Sequence, residues 1–384
     1  MTISDFEFNV STNIRFGPGE SGNMGNHVKA LGGKKVFIST DKGISNARLL
    51  DGMIASLEKE NIPYVVFDEV EANPSFETVE KAFEIFKSQE CDLLIGFGGG
   101  SSIDAAKAVG VAATNPGPLK QNLGRPVAKP IPPLIAVPTT AGTGSEVTVF
   151  AVVTDTEQIY KEAFFGPNIL PRLAILDPDL MKSLPPQVIA NTGMDALTHA
   201  IEAYISLRAN PITDALAIES IRMISSNLRP FFANANNAEA RAGMLLASTL
   251  AGLAFTDALT GIVHAMAHPL SAHYGIPHGA ANAVILPHAM EYCRIGAADK
   301  FLSIAQAMGK QTDDLSPLEA SWLAVDAVVE LMEDVEIPDI KSLGAKEEDI
   351  PKLTEDSLKG FYLFTPRKCD ADAVTRMFQA AFSQ

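Results

Sequence analysis

Five of the seven histidines fall in one window, His264, His268, His273, His278 and His288. A sixth, His199, follows Asp195 by four residues in Gly193-Met-Asp-Ala-Leu-Thr-His-Ala-Ile-Glu-Ala-Tyr204. Neutral imidazoles joined by a carboxylate are the donor set of an open divalent-metal site, in which one coordination position stays free for a small molecule. Asp195 and His199 share one face of a helix at i and i+4, and His264 and His268 repeat that spacing on a later helix. His278 lies in Gly275-Ile-Pro-His-Gly279, beyond a helix break. The preferred ligand set is Asp195, His199, His264 and His278. His268, one turn past His264, better suits proton handling or substrate contact. His273 and His288 read as surface or structural residues. Glu202, at i+3 from His199, is a rival carboxylate; it can equally stand behind the ligands or face solvent. Histidines merely satisfied by hydrogen bonds inside a core are the bland alternative, which this crowding disfavours.

A second chemistry is written in glycine. Gly96-Phe-Gly-Gly-Gly-Ser101 stands between a strand-like and a helix-like segment. Glycines there admit a phosphate close to the backbone, and the following helix offers unpaired N–H groups and a partial positive charge. Asp104, placed in the first helical turn, suits the same dipole. A tight turn alone needs fewer glycines. A second loop of the same kind is Pro138-Thr-Thr-Ala-Gly-Thr-Gly-Ser-Glu146, where Thr143 and Glu146 have capping-box spacing. The ordinary dinucleotide fingerprint expects an acidic residue about 20 positions after its glycines. Here the acidic strand-end residue, Asp41, precedes the glycine loop. Asp41 can accept from a ribose 2′-hydroxyl and repel a 2′-phosphate, which favours NAD over NADP, or it can simply cap a helix.

The elements that must position these groups alternate in the first half. Strands are predicted at 34–40, 63–67, 92–96 and 133–137, with helices at 46–61, 76–89 and 101–114. The stretch 6–16 alternates loosely, as an extra strand or hairpin. This order implies an α/β domain with a mainly parallel sheet covered on both faces, Rossmann-like without the ordinary fingerprint. Beyond Pro185-Pro186 the periodicity is helical, at 192–207, 211–231, 238–255 and 319–333. The expected division is an α/β dinucleotide-binding domain over 1–184 and an all-helical metal-binding domain over 185–384.

Composition narrows the function. With 384 residues, 47% of them hydrophobic, the chain can bury a large core. A net charge of −16 and the absence of any basic run argue against nucleic-acid binding. Cys91, Cys293 and Cys369 are too few and too scattered for a disulfide framework or zinc knuckle. No apolar run of about 18 residues argues for a membrane span, and Met-Thr-Ile-Ser-Asp-Phe-Glu does not read as a leader. A reducing, cytoplasmic setting is expected.

The motifs together resemble the iron-containing (group III) alcohol dehydrogenases. The resemblance rests on Gly98-Gly-Gly-Ser101, Pro138–Glu146, Gly193–Tyr204, and His264-Ala-Met-Ala-His-Pro269 through His278-Gly279. It implies reversible hydride transfer between NAD(P) and a small alcohol or aldehyde. It also implies Fe²⁺, or Zn²⁺ or another divalent metal, on Asp195, His199, His264 and His278. Cofactor contacts are implied at Asp41, Asn73, Gly99, Gly100, Ser101, Asp104, Thr139, Thr140, Thr143 and Lys161, and a homodimer or larger assembly is usual. Two departures bear on the substrate: Thr365-Pro366-Arg367 replaces a common Asn-Pro-Arg, and Val149-Phe150-Ala151 is apolar where some diol-active members are polar. Glycerol dehydrogenase and maleylacetate reductase types share the fold logic. A metal-dependent hydrolase or lyase using the same ligands is the rival class, but it leaves the glycine loops without a role.

Overall fold

A computed structural model describes residues 5–156, 160–360 and 364–383. The chain divides into two compact units, one of Asn9–Thr140 with Gly144–Lys182, the other of Ser183 onward with Ala141–Thr143 and the stretch up to Phe8.

The first unit is α/β. Its strands are β1 (Asn13–Phe16), β2 (Val36–Ser39), β3 (Tyr64–Phe67), β4 (Leu93–Gly98), β5 (Leu134–Pro138), β6 (Phe150–Asp155), β7 (Tyr160–Phe165) and β8 (Leu173–Leu176). Its helices are α1 (Met24–Ala30), α2 (Lys42–Asn46), α3 (Asp51–Lys59), α4 (Phe76–Ser88) and α5 (Gly100–Thr114). Six strands form one sheet in the order β1-β8-β5-β4-β2-β3, every pair parallel, while β6 and β7 make a separate antiparallel hairpin. The central strands are apolar on both faces because both are covered. Phe37, Leu94 and Leu134 pack with α4 and α5, while Val36, Ile38, Ile95, Phe97, Ile135 and Val137 pack with α1 and α3. From β2 the chain moves to β3 on one side, and from β4 it moves to β5 on the other. The order therefore reverses between neighbouring β2 and β4, and at their carboxyl ends stand Asp41 and the glycine loop. Such a switch point is where open α/β sheets receive ligands.

Several boundaries differ from the sequence expectations. The helix predicted over 46–61 is α3 alone, starting later at Asp51, while α2 carries no prediction; the two are separate because Arg48 takes a left-handed φ of 58° that cannot continue a helix. The stretch 6–16 contributes only the short edge strand β1. Strands β6, β7 and β8 carry no prediction; β8 is four residues, too short to show a period. Thr143 and Glu146 form no capping box: the short turn at Ser145–Val147 is entered through Gly144 in the left-handed region, with no side-chain cap.

The second unit holds α6 (Pro186–Ile205), α7 (Pro211–Ala233), α8 (Ala238–Ala258), α9 (Ile262–Tyr274), α10 (His278–Cys293), α11 (Ala298–Ala307), α12 (Pro317–Asp334), α13 (Ile350–Ser357) and α14 (Ala371–Phe382). Pro186 opens α6 rather than breaking the chain, since a first-turn residue needs no N–H partner. From Gly193 to Ile205 every residue of α6 is buried. A helix buried all round is a core helix, so Asp195, His199 and Glu202 project from the middle of the unit. Among the described residues no single helix is long and apolar enough to cross a membrane.

Helix α5 lies so close to β4 that a Cβ on Gly96 would stand 2.8 Å from the Ile103 Cα. Gly96→Ala is therefore expected to lower stability by about 1–3 kcal/mol through overpacking, read as a fall in thermal midpoint. An unchanged midpoint would mean that α5 can back away from the sheet.

Candidate metal and nucleotide sites

Helix α6 supplies Asp195 and His199 one turn apart, α9 supplies His264, and α10 begins at His278. Two glycines let neighbours approach α6, one on α10 and one facing α7. A Cβ on Gly279 would lie 2.0 Å from the Asn191 carbonyl oxygen, and one on Gly193 would lie 2.3 Å from Leu228. Glycine at 279 thus lets the first turn of α10 rest on α6 and brings His278 to Asp195. Asp195, His199 and His264 are buried, and their donor atoms lie within 4.8 Å of one another. Asp195 Oδ1 is 3.9 Å from His264 Nε2 and 3.8 Å from His278 Nε2, and Oδ2 is 4.0 Å from His199 Nδ1. Two donors on one ion can be no further apart than about twice a 2.0–2.2 Å bond, and these three separations meet that limit.

The chemistry of the donor set fits a divalent cation. His199 stacks between Phe255, at 4.3 Å, and His264, at 4.4 Å, and it also hydrogen-bonds the Gly142 backbone. Burial pushes its imidazole down to about 4, so near neutrality it is an uncharged donor. Its Nδ1 is buried without a hydrogen-bond partner, an orphan that a cation satisfies. His268 is only partly buried; its ring is 5.3 Å from that of His278 and 6.4 Å from that of His264. It stands beside the donor group and outside it. His273 pairs with Asp356 at 2.7 Å, and His288 is buried in α10.

Sequence reasoning missed Asn282. Its Nδ2 donates to Asp195 Oδ1 at 2.7 Å and lies 3.2 Å from His264 Nε2 and 3.3 Å from His278 Nε2. The signal was available, because Asn282 follows His278 by four residues and so shares its helix face.

In the α/β unit, the backbone of the glycine loop separates two kinds of glycine. Gly98 has φ 149°, and a Cβ there would meet Ser102 Oγ at 2.5 Å, so the fold itself requires glycine. Gly99, the N-cap of α5, has an ordinary φ of −71°, and its Cβ would make only an ordinary 3.6 Å contact with Thr140 Oγ1. Nothing in the fold demands glycine at 99, and its position leaves the N-terminus of α5 open to close approach. Gly100 and Ser101 open α5, and the Ser101 hydroxyl accepts from the Asn73 N–H at 3.1 Å. Asn73, left-handed at φ 59°, accepts in turn from Thr154 Oγ1 through its carbonyl; Thr154 pairs with Lys161 across the hairpin. Thr139 is buried and its N–H donates to the Gly98 carbonyl, joining the two loops. Asp41 fills the capping role expected of it. Oδ1 caps α2 by accepting from Ile44 N–H at 3.0 Å, while Oδ2 faces the Cβ position of Gly98 at 3.5 Å.

Asp104 departs from its expected place. Helix α5 starts at Gly100, so Asp104 belongs to the second turn, and no acidic residue occupies the first. Its carboxylate accepts from Ser145 Oγ at 2.5 Å and from Val152 N–H at 3.0 Å, bracing the second loop and β6. Lys107, fully buried beside it, donates to the Thr148 and Phe150 carbonyls. Burial pushes this ammonium down to about 8, against the attraction of Asp104 and Glu146.

Comparison with known proteins follows the same two units. Residues 11–178 match the family model "Iron-containing alcohol dehydrogenase", and residues 189–382 match "Fe-containing alcohol dehydrogenase family, C-terminal". The chain is 44% identical to 1,3-propanediol dehydrogenase of Citrobacter freundii over 387 residues, covering 100% of both. A crystal structure of 1,3-propanediol oxidoreductase superposes with a TM-score of 0.96 at 43% identity, covering 99% of this chain and 100% of that one. Sulfoacetaldehyde reductase from Bifidobacterium kashiwanohense, solved in complex with NAD+, gives a TM-score of 0.89 at 29% identity, covering 99% and 100%.

Because Gly99 is not needed by the fold, Gly99→Ala is expected to leave the thermal midpoint unchanged. It should weaken binding of a dinucleotide about tenfold or more, equivalent to roughly 1.4 kcal/mol, as measured by fluorescence titration. Unchanged affinity would remove the phosphate from this loop.

Proposed function

The chain belongs to the iron-containing alcohol dehydrogenase family, and from that premise we propose that it interconverts a small alcohol and its aldehyde or ketone with NAD, on a metal held by Asp195, His199, His264 and His278. The observation that carries the ligand assignment is the convergence of three imidazoles on one buried carboxylate. A divalent ion there supplies Lewis acidity toward the alcohol oxygen, and the dinucleotide supplies the hydride acceptor. Asp195 contributes the one carboxylate donor, and His199 an imidazole that burial keeps uncharged near neutrality. His268, beside His278 and partly open to solvent, is the group placed to pass a proton outward. Fe²⁺ is the metal we assign, in keeping with the family's description.

For the dinucleotide, we assign the phosphates to Gly99, Gly100 and Ser101 at the N-terminus of α5, and the ribose to Asp41. Asn73, Thr139, Thr140, Thr143 and Lys161 complete the contacts, while Asp104 acts through Ser145 and β6. A homodimer is supported by the edge strand β1, whose Ile14 and Phe16 are exposed. A reducing, cytoplasmic setting is supported by three free, buried cysteines. The direct test is NADH formation with 1,3-propanediol and short primary alcohols, abolished by a chelator and restored by Fe²⁺. Chelator-resistant turnover would overturn the reading.

His264→Ala is expected to lose bound metal and turnover together. His268→Ala should keep its metal while kcat falls about 10²–10⁴-fold, the usual worth of proton transfer. Metal analysis alongside kinetics separates them: metal loss from the His268 variant would make it a ligand.

Asp41→Gly should raise the use of NADP relative to NAD, because a carboxylate repels a 2′-phosphate in a partly buried site. Glycine at an N-cap costs only a few tenths of a kcal/mol, so the variant should fold. The ratio of kcat/KM with the two cofactors is the measurement. A wild-type preference for NADP would refute the assignment.

A further inference from the structure

Glu202 is a buried carboxylate with a function of its own. It is 3% exposed, one turn along α6 from His199, yet it points to a different helix. Its Oε1 accepts from Val263 N–H at 2.7 Å, and its Oε2 meets His264 Nδ1 at 2.6 Å and His264 N–H at 3.4 Å. Helix α9 has no side-chain cap of its own: its N-cap is Gly261, with φ −133° and ψ −140°. The first N–H groups of a helix need acceptors, and here the acceptor comes from α6. Gly261 makes the reach possible, because a Cβ there would stand 3.0 Å from Glu202 Oε1 and 3.0 Å from Thr365 Oγ1. Just before it, Leu259 is held at φ 62° and ψ 169°, a region costly for any residue but glycine. The chain bends sharply into α9 where Glu202 waits.

We propose that Glu202 is a positioning residue: it accepts a hydrogen bond from the Nδ1–H of His264, so that Nε2 presents its lone pair toward Asp195 and the metal, while the same carboxylate fixes the first turn of α9. Both oxygens are engaged in these bonds, and the donor atoms that cluster with one another belong to Asp195, His199 and His264, not to Glu202, against the ligand role that its i+3 spacing from His199 suggests. A carboxylate on the far nitrogen of a metal-binding imidazole fixes the tautomer and raises the basicity of the ligating nitrogen. Glutamine cannot replace it, because an amide has one acceptor oxygen and sets an NH2 donor in place of the other, which would then face either Val263 N–H or the His264 Nδ1–H and N–H. The inference rests on the metal assignment of His264.

Cobalt(II) provides a probe independent of turnover. Wild-type, Glu202→Gln and Glu202→Asp proteins are stripped with a chelator and titrated with Co²⁺, following the visible ligand-field bands and the thermal midpoint of each apo protein. Wild type should take up one Co²⁺. Glu202→Gln should bind it about 10–100-fold more weakly, the usual cost of losing such a partner, with altered bands. Glu202→Asp, which keeps the charge, should recover part of the affinity. It also serves if the glutamine variant does not fold. Wild-type affinity and bands in both variants would overturn the proposal, even with a lowered midpoint, because Glu202 would then serve only the fold. Complete loss of Co²⁺, as expected for Asp195→Ala, would make Glu202 a ligand and overturn it equally. Failure of wild type to bind Co²⁺ would instead sink the metal assignment itself.

Discussion

Two carboxylates, Asp195 and Glu202, sit in a core of helices with 3% of their surface exposed, and a buried ion without partners costs several kcal/mol. The helical unit is organised around meeting that demand. Glu202 is answered by the N-terminus of α9 and the Nδ1 of His264. Asp195 is answered by the Asn282 amide and faced by the imidazoles of three histidines. No Lys or Arg bonds either carboxylate among the described ion pairs and hydrogen bonds, which is the electrostatic setting in which a divalent cation is held. Glycines at 261 and 279 follow from the same demand, since one admits the Glu202 carboxylate and the other the Asn191 backbone where a Cβ would collide.

In the α/β unit the corresponding constraint is steric. The strand order turns back between β2 and β4, which leaves their carboxyl ends open together. Gly96 lets α5 press on β4, Gly98 turns the chain at a φ closed to other residues, and Gly99 leaves the space beside the helix N-terminus clear. Around this loop the polar residues are bonded to one another: Asn73 to Ser101 and Thr154, Asp104 to Ser145 and Val152, Lys107 to Thr148 and Phe150. Such bonding holds the site's walls in place before any ligand arrives, which lowers the ordering cost of binding.

Much of this was legible in the residues. Asp195 and His199 at i and i+4 on an apolar helix must share a face, and a triple glycine between a strand and a helix must bring backbone N–H groups to a strand end. The misses have particular causes. Arg48 delays the start of α3 to Asp51 through a backbone angle that its residue type does not announce. Asp104 looked like a dipole partner because α5 was started one residue late and its partners, Ser145 and Val152, lie 41 and 48 residues away. The β6–β7 hairpin rests on pairing between strands, which local pattern does not encode.

The sequence by itself determined the family and the local pattern of the candidate site: the donor types, their helical spacing, the glycine loop and the acidic strand end. These are local facts, set by a period of 3.6 residues and by the freedom of glycine. Tertiary structure decided which of several equivalent side chains meet. Spacing sets His278 apart from His268 only as lying beyond a helix break; a glycine contact between α10 and α6 is what brings it within 3.8 Å of Asp195. Glu202 could have faced solvent or the donor group; the packing of α9 against α6 gives its oxygens to a helix terminus and an imidazole. Long-range packing makes that choice because burial commits a polar group to whichever partner the neighbouring helix supplies.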